Sequence, residues 1–230
     1  MRVLGIETAT WTASVALIDE ALTLTEQTLP TSLSHGTALF PLLEDALAAA
    51  RLSLHDLDLI AVSIGPGSFT GLRIGLSMAK GLSLGADLPV VGVPTLEALA
   101  LAAGPRPHPI WAVLDARKHE VYSAAFTHAV AGQIEVVSSP AVTTPERLAA
   151  MLAPPCTVVG NGVDSYGEVF RSRESDGVEF RSAAQLVPSG AVVARVGLAR
   201  YRERGPDHPH ALEPSYVRLS DAERVRTTSV

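Results

Sequence analysis

A chain of 230 residues, 47% hydrophobic and 18% charged, is long enough for one large core or for two lobes of about 100 residues each, and its composition excludes a fibrous or wholly disordered protein. With 18 Lys+Arg against 24 Asp+Glu its formal charge is −6, so its surface as a whole repels polyphosphate, and autonomous nucleic-acid binding is not expected. The single cysteine, Cys156, excludes an internal disulfide; Glu7 and the threonines around it interrupt any signal-peptide core, and no run approaches the roughly 20 apolar residues of a membrane span, so a cytoplasmic protein without membrane contact is expected.

Residues 3–7 read as a short apolar strand, 8–12 as a polar turn and 13–18 as a return strand, which makes a β-hairpin. Residues 34–52 carry Leu39, Leu42, Leu43, Ala46, Leu47 and Ala50 at helical spacing; Pro41 fits only near a helix start, so the regular part is expected from about Thr37. An apolar strand at 57–64 is broken by Gly65-Pro66-Gly67, and Ser68 is placed to cap a helix over 69–86. A strand at 89–93 and a helix at 95–103 follow. Three prolines between Gly104 and Pro109 suit neither helix nor central strand and mark a lobe boundary, giving lobes at 1–104 and 105–218 and a tail at 219–230.

The second half opens like the first. Setting Asp115 against Glu7 aligns 110–114 with 2–6 and 121–126 with 13–18 without a gap, and 156–159 runs into Gly160-Asn161-Gly162 as 60–64 runs into Gly65-Pro66-Gly67. The parallel points to a duplicated α/β lobe, against chance likeness of two hairpins. Beyond it, 171–181 reads as a charged surface loop, 189–204 as a helix, and 205–230 as a Pro- and His-containing tail frayed after Arg224.

Candidate chemistry is sparse. Gly65, Gly67 and Ser68 lie in a glycine-rich strand-to-helix turn of the kind whose N–H groups cradle anions, or simply a tight packing turn; it matches no P-loop, Rossmann or nucleophile-elbow pattern. Glu7 and Asp115 end hairpin-opening strands, where a carboxylate either holds magnesium at a nucleotide or secures the turn. Gly71, Gly75, Gly81 and Gly85 each cost about 1 kcal/mol in a helix, so close approach of another element is expected, within the lobe or from a second protein. The seven histidines contain no H-x-x-x-H pair, no metal site is expected, and no nucleophile–base constellation is visible.

The stretch Ser63-Ile64-Gly65-Pro66-Gly67-Ser68-Phe69-Thr70-Gly71-Leu72-Arg73-Ile74-Gly75 resembles the hallmark of the TsaB family. Gly5-Ile6-Glu7-Thr8, Ser34-His35, Leu114-Asp115-Ala116-Arg117, Glu120-Val121-Tyr122 and Pro214-Ser215-Tyr216-Val217-Arg218 add weaker matches in the same order. The resemblance implies an actin-like, sugar-kinase-like α/β fold of two related lobes. It also implies a heterodimer with a catalytic TsaD-like relative, cooperation with a TsaE-like ATPase, and contact with tRNA only through that complex, which adds threonylcarbamoyl to N6 of the adenosine beside the anticodon. Where TsaD-type relatives carry a metal-binding His-Met-Glu-Gly-His segment, this chain has Thr95-Leu96-Glu97-Ala98-Leu99, and neither Thr95 nor Leu99 replaces an imidazole. A non-catalytic scaffold is therefore expected, with Leu39, Leu43, Leu47, Gly71, Gly75, Met78 and Leu82 facing the partner, or a second copy in a homodimer when the partner is missing. No cofactor is expected in the chain's own cleft; ATP or ADP has a place at a subunit junction, and Glu7, Gly65, Gly67, Ser68 and Asp115 are the candidate nucleotide or anion contacts. The alternative is an actin-like phosphotransferase or a metallopeptidase working in the cleft between lobes.

Overall fold

The computed structural model describes residues 1–30, 35–128, 134–173, 176–182, 186 and 188–217. In chain order the elements are β1 (Arg2–Glu7), β2 (Thr12–Asp19), β3 (Leu22–Pro30), α1 (His35–Ala50), β4 (Leu59–Gly65), α2 (Phe69–Ala86), β5 (Val90–Pro94), α3 (Thr95–Ala102), β6 (Ile110–Arg117), β7 (Glu120–His128), β8 (Ile134–Thr143), α4 (Pro145–Met151), β9 (Cys156–Val159), α5 (Asn161–Ser165), α6 (Gly167–Arg171), β10 (Val178–Arg181) and α7 (Gly190–Arg204).

Two five-stranded sheets share one topology. The first runs β3-β2-β1-β4-β5 and the second, from the matching edge, β8-β7-β6-β9-β10; in each the hairpin strands pair antiparallel and the last two join in parallel. The duplication is thus present at the level of strand order. The gapless alignment is off by one residue in the return strand: Glu7 pairs with Ser14, seven positions on, and Asp115 with Val121, six positions on. The second turn is shorter by that residue.

Period-two alternation sorts β1 onto two faces. Leu4 and Ile6 join Leu39, Leu42, Leu43 and Ala46 of α1 and Leu76, Met78 and Ala79 of α2 in one core; Val3 joins Ala191, Val193 and Ala194 of α7 on the other face. Small residues bring α7 against the sheet: a Cβ on Gly5 would lie 1.9 Å from the Gly190 carbonyl oxygen, and one on Gly197 2.3 Å from the Ala61 Cβ. The second sheet packs α4 through Leu148 and the residue that closes that helix, Leu152, and α6 through Phe170 on one face. Leu96, Leu99, Ala100 and Ala103, from α3 and its C-terminal end, cover Ile110, Ala112 and Leu114 on its other face, while Ala98 packs into the α7 core, so α3 lies between the two sheets.

Several expectations need correction. The helix α1 starts at His35 with Pro41 inside it, earlier than Thr37. The edge strands β3 and β8 were not expected, because none of their described side chains is buried and their hydrophobic signal is weak. Part of the charged run at 171–181 is β10, which pairs in parallel with β9 and buries Val178. Helix α7 and the segment after it belong to the first sheet rather than the second: Asp207 bridges to Val90 and accepts the Gly92 N–H at 2.8 Å, Leu212 is buried, and the Ser215 N–H donates to the Ile64 carbonyl at 2.6 Å. Ser34, Arg218 and the tail at 219–230 lie outside the described residues.

Candidate functional site

The two strand-end carboxylates do the same local work. Glu7 accepts the Ala9 N–H at 2.6 Å and the Ser63 hydroxyl, and Asp115 accepts the Arg117 N–H at 2.8 Å, so each carboxylate ties down the turn two residues ahead. Their surroundings differ. Glu7 is fully buried, and burial pushes its carboxyl up to about 7 against the opposing pull of the Ser63 hydroxyl and the Ala9 and Thr10 N–H groups. Asp115 is partly exposed and also accepts from the hydroxyls of Tyr166 at 3.1 Å and Ser165 at 3.4 Å, while its own N–H donates to the Asn161 side-chain oxygen at 2.9 Å.

The strand-to-helix turns are also equivalent. Gly65 and Gly160, at the ends of β4 and β9, have φ of +111° and +115°, a region that glycine alone enters without strain. Ser68 caps α2, its side chain accepting the Gly71 N–H at 3.2 Å, and Asp87 closes the helix in the left-handed conformation. A cleft of about 420 Å³ separates the lobes, lined by Ala9, Thr10 and Trp11, by Gly67, Ser68, Phe69 and Thr70, and from the second lobe by Leu114, Asp115, Ala116, Arg117, Tyr122 and Asn161. The Arg117 guanidinium lies 4.7 Å from the exposed Trp11 ring, a cation–π contact that joins the lobes at the cleft mouth.

Of the expected nucleotide contacts, Gly67, Ser68 and Asp115 line this cleft; Glu7 and Gly65 do not. Glu7 is sealed below the β1–β2 turn, and Gly65 sits under the Ser215 carbonyl, 2.8 Å from where its Cβ would be. The Ser68 N–H already donates to the Ala9 carbonyl at 2.7 Å. The β1 carboxylate is therefore closed to the cleft, and among the described residues there is no group of three or more His, Cys, Asp or Glu side chains that could hold a metal. Thr95 and Leu99 are fully buried in the packing between the lobes.

The glycines of α2 divide into two sets. A Cβ on Gly71 would lie 2.0 Å from the Thr8 carbonyl oxygen and one on Gly75 2.3 Å from the Thr8 hydroxyl, so these two let the β1–β2 turn close onto the helix. Gly81 and Gly85 have nothing within 4 Å. Of the expected partner-facing residues, Gly71, Gly75, Leu39, Leu43 and Met78 are buried within the lobe, whereas Leu47 and Leu82 are half-buried. Leu39 and Met78 still form the floor of an apolar groove of about 630 Å³ between α1 and α2, completed by Phe40, Leu82, Ile74, Ser77, Gly81 and Arg73. Sequence reasoning missed Phe40, 56% exposed, and Arg73. The helical periodicity that selected Leu39 and Leu43 as one stripe leaves Phe40 outside it, and only its exposure beside an apolar groove identifies it.

A family model described as TsaD, tRNA N6-adenosine threonylcarbamoyltransferase, matches residues 29–225. The chain is 32% identical over 223 residues to the tRNA threonylcarbamoyladenosine biosynthesis protein TsaB of Escherichia coli, covering 95% of each, and 28% identical over 225 residues to the Bacillus subtilis protein of the same name, covering 97% of this chain and 96% of that one. Among solved structures it is similar to YeaZ from Pseudomonas aeruginosa, with a TM-score of 0.79, 28% identity and coverage of 94% and 99%. A ROK hexokinase from Thermus thermophilus, with a TM-score of 0.51 and 12% identity over 88% of this chain and all of that one, shares the two-lobed fold alone.

Proposed function

The chain belongs to the TsaB family of tRNA threonylcarbamoyladenosine biosynthesis, and on that premise we propose that it is the non-catalytic, dimerising subunit of the assembly that puts threonylcarbamoyl on adenosine N6. In this reading it pairs with a TsaD-type transferase and cooperates with a TsaE-type ATPase. The observation that carries it is the groove between α1 and α2: an apolar concavity with Phe40 standing open at its edge, which water covers unfavourably and a partner helix covers well. Five of the residues first assigned to the partner serve the lobe's own core, so the docking surface is Phe40, Ile74 and Leu82 over the floor made by Leu39 and Met78. A second copy takes the same face when the partner is missing.

The non-catalytic part rests on Thr95 and Leu99, both fully buried where the transferase relatives carry imidazoles, and on Glu7, whose carboxylate is spent on its own turn. An adenine nucleotide accordingly belongs at a subunit junction rather than in this chain's cleft, and the charge of −6 leaves tRNA binding to the partners. The test is transfer of labelled threonylcarbamoyl to tRNA by this chain alone, by its TsaD-type partner alone, and by the mixture with the ATPase. Activity is expected only in the mixture. Turnover by the isolated chain would overturn the assignment, and so would a partner whose activity and elution volume ignore this chain.

A further inference from the structure

Among the described residues, the α1–α2 groove has one charged lining residue, Arg73; the others are Leu39, Phe40, Ile74, Ser77, Met78, Gly81 and Leu82. Resting on the reading of this groove as the partner's docking surface, we infer that the partner presents a carboxylate side chain to Arg73, and that this ion pair fixes which protein docks and in what register. Arg73 is exposed yet held in place before any partner arrives. Its guanidinium lies 3.8 Å from the centre of the Phe69 ring, four residues earlier on the same face of α2, and its Nε donates to the Tyr216 hydroxyl at 3.2 Å. Tyr216 in turn stacks on Phe69 at 5.4 Å and is anchored by its neighbour Ser215, whose N–H donates to Ile64.

Among the described residues, neither contact of Arg73 carries a charge. No described residue takes the terminal guanidinium nitrogens, and the stacking plane aligns them as a fork suited to a carboxylate. Covering the groove with a purely apolar surface would strip water from this cation without replacement, which opposes association strongly; an acidic side chain opposite it removes that penalty and penalises partners that lack one. Immobilising the arginine in advance reduces the entropy lost on docking.

The experiment uses the full chain and its TsaD-type partner, in nucleotide-free buffer, with dissociation constants from calorimetry at low and moderate salt. Arg73→Gln should weaken the heterodimer at least about tenfold and flatten its salt dependence, Arg73→Lys should recover little because an ammonium neither stacks nor forks, and Arg73→Glu should weaken it about a hundredfold. Reversing single acidic residues on the partner to arginine should restore binding of Arg73→Glu at one position. Circular dichroism of the variants should be unchanged, since the side chain is exposed. Wild-type binding with Arg73→Gln and Arg73→Glu within twofold of it overturns this inference and leaves the docking reading standing; failure of the wild-type chain to bind overturns both. A defect seen only when adenine nucleotide is added assigns the anion to a phosphate, and one confined to self-association assigns it to a second copy; either result overturns the carboxylate assignment.

Discussion

Replacing Glu7 by glutamine should change how the stability of the protein depends on pH. The folded carboxyl titrates at about 7 because it is fully buried, against 4.5 for an unperturbed glutamate, so between those values the native state holds a proton that the unfolded chain has released. Stability from this group is complete below about pH 4.5 and is lost as pH rises through about 7. The rise from the ordinary glutamate range to about 7 corresponds to about 3 kcal/mol in total, most of which is lost between pH 5 and pH 8.5. Glutamine keeps an oxygen for the Ala9 N–H and turns its amide toward Ser63, with no charge to bury. Urea unfolding of wild type and Glu7→Gln at both pH values isolates the term, because every other titrating group cancels in the difference. The variant should gain about 2–3 kcal/mol on wild type between pH 5 and pH 8.5. A difference that stays within about 0.5 kcal/mol would show that Glu7 ionises normally in the folded protein and that burial does not control it.

The two sets of glycines in α2 should respond oppositely to alanine: Gly75→Ala drives a methyl onto the Thr8 hydroxyl and should destabilise by about 1–3 kcal/mol, whereas Gly81→Ala meets open space and should stabilise by about 0.5–1 kcal/mol, both read from thermal melts. Phe40→Ala should leave the melting temperature within a few degrees but weaken the complex with the TsaD-type partner by about 2 kcal/mol, seen as a shifted heterodimer peak in size-exclusion chromatography. Titration of the isolated chain with magnesium-ATP should give no saturable heat, because the β1 carboxylate is closed off; tight binding in the cleft would revive the phosphotransferase reading.

Local chemistry by itself determined a good part of this protein. The β1–β2 hairpin, the glycine turn after β4, helix α2 over Phe69–Ala86 with its Ser68 cap, and the likeness of the two halves are written in nearest-neighbour terms: alternation, a capping hydroxyl, a glycine where φ must be positive. A turn-securing role for Glu7 and Asp115 was legible for the same reason, since each bonds a residue two positions away. The match of 63–75 to the family hallmark was equally a property of the sequence alone. The sequence could not say which way a side chain faces once another element covers it. Gly75 and Gly81 are equivalent in composition and differ only because Thr8, far away in the chain, closes on one of them. Leu43 and Phe40 are both large and apolar on one helix, and the sheet beneath α1 claims the first and leaves the second in water. Edge strands β3 and β8 hide because neither has a fully buried side chain among the described residues and their Leu22, Leu24, Val136 and Val137 are exposed. Helix α7 crosses back to the first sheet because Gly5, Ala61, Gly190 and Gly197 together leave room for it, a fit between surfaces more than 100 positions apart that no local window contains. The groove, the arginine in its lining and the buried acid at pKa about 7 follow from that packing, for desolvation and exposure are properties of the assembled fold rather than of any residue in it.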